Sequence, residues 1–120
     1  MTAQTISRGE IWIVDFSPGR GSEQKGLRPA LVVQNDVGNR YAATTIVAAI
    51  TGTLKEYPVT VMLESHEGGL DRESMVNLAQ ILTLDESRLV RRLGAISQGR
   101  LREVDAALVV SLGIGSQTGH

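Results

Sequence analysis

Five short β-rich runs divided by turn formers fill residues 11–81, and sustained helical periodicity begins only near Ser97. The runs are Ile11 to Phe16, Ala30 to Gln34, Thr44 to Ile50, Val59 to Leu63 and Ser74 to Ile81. The connections are too short for repeated βαβ crossovers, so a parallel sheet is excluded and the strands must pair antiparallel. Strands first and a helix last reads as α+β, mainly β, or as a small barrel with a helix laid on it. The expected architecture is a small, strongly bent antiparallel sheet with a C-terminal helix laid on it. Thr44 to Ile50 is nearly all apolar, which predicts a central strand buried on both faces.

The later segments are read from caps and spacing. Asp85 predicts the cap of a short helix over Glu86 to Arg91, and Leu93 to Ile96 a short last strand. Leu101, Val104, Leu108 and Leu112 recur at spacings of three and four and form one apolar stripe. Gly113 and Gly115 are the expected stop. Residues 1–7 and 116–120 are polar and are expected to fray. His66 to Gly69 reads as a hairpin-like loop. No repeat, linker or second domain interrupts residues 1–120, and 120 residues suffice for one domain with a real core.

Composition narrows the function. There are no cysteines, which removes disulfides and thiolate metal sites. No secretory signal and no membrane span are expected, and the expected location is cytoplasmic. The formal net charge is −1, unlike a strongly basic nucleic-acid coat. Positions 1–60 carry six basic and five acidic residues, and the rest six and eight. That balance permits a local basic cleft built from loops, not a basic face.

The stretch Gly21-Ser22-Glu23-Gln24-Lys25-Gly26-Leu27-Arg28-Pro29 supplies such a loop. Pro29 fixes its own φ and pushes Arg28 toward extended backbone, so the guanidinium projects from a defined place. With Ser, Gln and Lys donors beside it, that arginine suits a phosphate or another anion. Taken singly the parts are ambiguous. A loop arginine is more often a surface ion-pair partner, Thr51 at a strand end more often a turn cap, and Trp12 by default a core residue. The sequence has no Gly-x-Ser-x-Gly elbow, no P-loop and no His-Glu-x-x-His motif. Its two histidines, His66 and His120, read as solvated surface residues.

The order of the pieces resembles the MazF/PemK family of toxin endoribonucleases over about residues 8–113. Arg8-Gly9-Glu10-Ile11-Trp12 is similar to the family's opening strand. Gly21 to Gln24, Gly26 and Arg28-Pro29 are similar to its G-S-E-Q-x-G-x-R-P loop. Gln34-Asn35-Asp36 with Asn39 follows Q-N-D-x-x-N, and Thr44 to Thr51 follows its third strand, which ends in threonine. The resemblance implies an SH3-like barrel, a homodimer, no cofactor and no metal. It implies cleavage of single-stranded RNA (mRNA) at short sequences, and neutralisation by a cognate antitoxin whose acidic segment covers the RNA site. By it Arg28 and Thr51 are catalytic, and Ser22, Glu23, Gln24, Lys25, Asn35 and Gln80 bind RNA. Members often carry an acid before that glutamine and a base two positions after it. Here those positions are Ala79 and Leu82, which bears on the cleavage sequence.

Elementary chemistry fits the same function. RNA carries its own nucleophile, the 2′-hydroxyl, and a protein that aligns it in line with phosphorus needs neither water nor metal. Arginine stays protonated, so Arg28 is expected to stabilise the phosphorane, with Thr51 hydrogen-bonding the phosphate. Aromatic content is 3%, so recognition should lean on loop hydrogen bonds more than on base stacking. Two alternatives are a toxin of the same barrel class that binds a protein such as a topoisomerase, and a non-toxic RNA-binding module. The Arg28–Thr51 pair disfavours the first and low basicity the second.

Overall fold

The computed structural model describes residues 5–16, 26–55 and 57–115. Six strands, β1 (Glu10–Asp15), β2 (Leu27–Val32), β3 (Thr44–Thr51), β4 (Thr60–Leu63), β5 (Ser74–Asp85) and β6 (Leu89–Ala95), form one antiparallel sheet in the order β4-β5-β3-β2-β1-β6. Two helices accompany it, α1 (Asp36–Tyr41) and α2 (Gln98–Leu112). No described helix is long and apolar enough to cross a membrane.

β3 lies inside the sheet and is buried along most of its length, as its apolar run predicts. Consecutive residues feed opposite faces, the period-2 rule of a strand. Ile11, Leu31 and Ala48 join one cluster, completed by Val104 and Ala107 of α2. Trp12, Ala30, Val32 and Val47 join the other, with Ile6 and Leu89. Ile6 is buried, so the expectation of a frayed residue 1–7 segment fails at that position. Its apolar side chain gains by covering the second face.

The sheet is not a closed barrel. β4 and β6 are its edges, and no ladder joins them. Instead a single 3-10 turn, Glu67–Gly69, follows β4 and lies against β6. Glycine permits the approach. Gly69 has φ +86°, and a Cβ there would overlap the Leu93 carbonyl. Arg100 of α2 locks the turn, with Nε 2.6 Å and Nη2 2.9 Å from the two Glu67 carboxylate oxygens.

That ion pair has a pH signature. Burial pushes the Glu67 carboxyl upward, but hydrogen bonds from Arg100 and from the Glu64 amide outweigh it and hold the group below its ordinary value. A carboxylate whose folded pKa is depressed stabilises fully above the unfolded value of 4.5, and that contribution is lost as pH falls through the lowered folded value. Thermal melts from pH 6 downward should show wild type losing more stability than Glu67→Gln. Parallel curves for the two proteins would mean the pair contributes nothing.

Three segments depart from the sequence reading. The helix expected over Glu86 to Arg91 is one 3-10 turn, Glu86–Arg88, after which β6 begins at Leu89. Asp85 does cap that turn, accepting from the Ser87 amide at 2.9 Å. Leu89 finds buried space beside β1, and pairing with β1 outweighs the local helical signal. The polar Asn35-Asp36 and Gly38-Asn39 pairs, which by composition close the strand after Gln34 as a turn, instead lie at the start of and within the helix α1. Asn35 Oδ1 caps it, accepting from the Gly38 amide at 2.7 Å, and buried Asn39 takes a 2.7 Å hydrogen bond from Thr45 Oγ1. α2 starts and stops as expected, capped by Ser97 and ended by Gly113 at φ +70°. Its stripe is shifted, however. Val104 and Ala107 are buried, Leu101 and Leu108 half-buried, and Leu112 is 55% exposed.

Candidate active site

β1, β2 and β6 carry one cross-strand row, Pro29–Ile13–Arg91. Ile13, Leu27, Pro29, Ile50, Leu70 and Leu93 make the apolar part of an open cleft of about 600 Å³. Its polar lining is Arg28, Thr51, Asp71, Arg72, Ser74 and Arg91. Three arginines against one aspartate leave the lining net positive. Its volume is in the range of sites that receive a ligand.

Arg28 enters from β2, just after the base of the loop whose ends are joined by the Phe16 amide donating to the Gly26 carbonyl at 2.9 Å. Gly26 sits at φ +72°, a conformation glycine adopts without strain. Thr51 ends β3. Its Oγ1 accepts from the Thr53 amide at 3.1 Å, so it is a turn cap. The same bond fixes the oxygen and leaves the hydroxyl proton for an acceptor in the cleft. Capping and anion binding are therefore compatible.

Arg72 approaches from the loop before β5. Its guanidinium lies over Gly52, with Nη2 3.3 Å from where a Cβ would stand. Ser74 Oγ donates to the Arg72 carbonyl at 3.0 Å and holds that loop. Among the described residues, Arg28, Arg72 and Arg91 have no hydrogen-bonded carboxylate partner. Other arginines do: Arg8 pairs with Asp105, Arg92 with Glu10 and Arg100 with Glu67. Arg28, Arg72 and Arg91 are thus left available where they line the cleft.

Of the residues singled out in the sequence, Arg28 and Thr51 meet in this cleft. Ser22, Glu23, Gln24 and Lys25 fall outside the described residues. Asn35 caps α1 and does not line the cleft. Gln80 lies in a β5 bulge, where the β3 register jumps from Ile81 to Asn77, and it too is outside the lining. Sequence reasoning missed Arg72 and Arg91. Arg91 was assigned to a helix, which concealed its place opposite Ile13.

An antiparallel sheet that brings three arginines and the Thr51 hydroxyl to one cleft defines a small, β-rich protein with a cationic site. Residues 7–112 match the family of PemK-like, MazF-like toxins of type II toxin-antitoxin systems, and the chain belongs to that family. An endoribonuclease from a mycobacterial species shares the fold, with a TM-score of 0.80 at 23% identity, covering 96% of this chain and 98% of that one. A second mycobacterial endoribonuclease, in complex with its cognate antitoxin, gives a TM-score of 0.78 at 26% identity over 91% and 96% of the two chains. MazF from Deinococcus radiodurans gives 0.74 at 31% identity over 92% and 99%.

Proposed function

We propose that this toxin is an endoribonuclease that cuts single-stranded RNA at short sequences without a metal. The observation that carries the reading is the meeting of Arg28 and Thr51 in one cationic cleft, in a chain of this family. The 2′-oxygen attacks the adjacent phosphorus, and the bond from phosphorus to the 5′-oxygen breaks. The 2′-hydroxyl proton passes to a base, and a proton reaches the leaving 5′-oxygen. The products are a 2′,3′-cyclic phosphate and a 5′-hydroxyl. Negative charge accumulates on the phosphorane, where a fixed guanidinium and a hydroxyl donor interact more strongly than with the ground state. Ser22, Glu23, Gln24, Lys25, Asn35 and Gln80 are proposed RNA contacts that set where cutting occurs.

The proposed assembly is a homodimer acting in the cytoplasm. Val109, Val110, Leu112 and Ile114 at the end of α2 are exposed apolar side chains that a symmetric partner would cover. The proposed antitoxin offers an acidic segment to the same cations and competes with RNA. Incubating the purified protein with a long RNA in EDTA and mapping the ends tests the function. Discrete cuts ending in 2′,3′-cyclic phosphates are expected. An intact RNA, or cutting that needs added metal, would overturn the reading.

A further inference from the structure

Arg91 stands apart from the residues invoked so far. Like Arg28 and Thr51 it belongs to a strand, but to β6, where its Cα is held by the ladder with β1. Its neighbours in the cross-strand row, Ile13 and Pro29, line the cleft with it. The adjacent Arg92 is committed to Glu10, with Nε 3.0 Å from Oε2. Arg88, three residues earlier, donates to the Asp15 carbonyl at 3.2 Å. Arg91 is exposed and has no hydrogen-bonded carboxylate partner among the described residues. An arginine held without a counter-ion on the wall of a cationic cleft is poised for an external anion.

We infer that Arg91 is a positioning residue that binds a backbone phosphate of the RNA other than the scissile one. This rests on the endoribonuclease reading. Arg28 and Thr51 come from β2 and β3, whereas Arg91 comes from β6, beyond β1 in the sheet order. Two of the six strands thus supply the scissile site, and a third, on the far side of β1, supplies a separate contact. A strand of RNA laid across the apolar row Pro29–Ile13 meets Arg91 as it leaves the scissile centre. Such a contact fixes register along the strand and carries no base preference of its own.

The test measures binding against salt. The probe is an RNA of about twenty nucleotides containing one mapped cut site, with a 2′-deoxynucleotide there to prevent cleavage. For single strands, each neutralised phosphate contributes about 0.7 to the slope of log affinity against log salt. Arg91→Ala should reduce that slope by about 0.7, Arg91→Lys should retain it, and both should melt as wild type does. With cleavable RNA, KM should rise more than kcat falls. Arg40→Ala removes an exposed arginine of α1 that does not line the cleft, and its slope should stay at the wild-type value. An unchanged slope in Arg91→Ala overturns the inference while wild-type cleavage stands. So does an equal fall in Arg40→Ala, which would indicate general electrostatics. Loss of polyglutamate binding with the RNA slope intact would assign Arg91 to a protein partner. Failure of the wild type to bind or cut any RNA overturns the endoribonuclease reading itself.

Discussion

Arg28→Ala is expected to lower RNA cleavage by about 10²-fold or more, the scale of removing one preorganised charge-stabilising donor. The fold should survive. Arg28 is half-buried at the cleft and has no hydrogen-bonded carboxylate partner among the described residues, so its loss opens no core cavity and strands no buried charge. Changes of that kind shift stability by about 0.5 kcal/mol or less. Arg28→Lys should recover only part of the activity. Lysine keeps the charge but lacks the planar fork that grips two phosphate oxygens. If Arg28 acts in the transition state, kcat and kcat/KM should fall together. Single-turnover cleavage of one defined RNA, with melts of each variant, makes the measurement. Near-normal turnover by a folded Arg28→Ala protein would remove Arg28 from the mechanism.

Most of the sheet was legible because strand alternation is local. Ile11 and Trp12, or Val47 and Ala48, already declare two faces in the sequence, and the structure uses both. β6 was illegible for the opposite reason. Leu89 to Ala95 carries three charged or glycine positions among seven and follows a good cap, so its strand character comes from pairing with β1. α1 was hidden because Asn35, Asp36, Gly38 and Asn39, at its cap and in its first turns, are turn formers. What makes them helical is a tertiary network, with Arg8 donating its amide to Asp36 at 2.7 Å and Thr45 reaching Asn39. The hydrogen bond from the Arg8 backbone amide, and then that from the Asn39 side-chain amide, hold the Asp36 carboxyl below its ordinary range.

The site divides along the same line. Arg28 was readable because Pro29 constrains it from the next position. Thr51 was readable only through its place in the family's third strand. Arg72 and Arg91 were not readable at all, since nothing near either in sequence says that it faces Arg28. Only the register Pro29–Ile13–Arg91 and the loop folded over Gly52 bring these cations to one opening.

A single 2′-deoxynucleotide on the 5′ side of the scissile phosphate should block cutting completely. The cleft offers a guanidinium and a hydroxyl, and in the proposed reaction the substrate's own 2′-oxygen makes the attack. Removing that oxygen removes the nucleophile, an effect larger than any one protein donor supplies. Binding should persist, because the phosphates that engage Arg28 and its neighbours are unchanged. The deoxy-substituted RNA should therefore act as a competitive inhibitor of the all-ribose RNA, with an inhibition constant near the substrate's dissociation constant. The comparison needs only one mapped site, two oligonucleotides that differ by one oxygen atom, and a cleavage assay in EDTA. Efficient cutting of the deoxy substrate would require another nucleophile, either water or a protein group, and would end the case for a cyclic phosphate. Loss of binding together with cutting would show that the 2′-hydroxyl is recognised in the ground state as well as in the transition state.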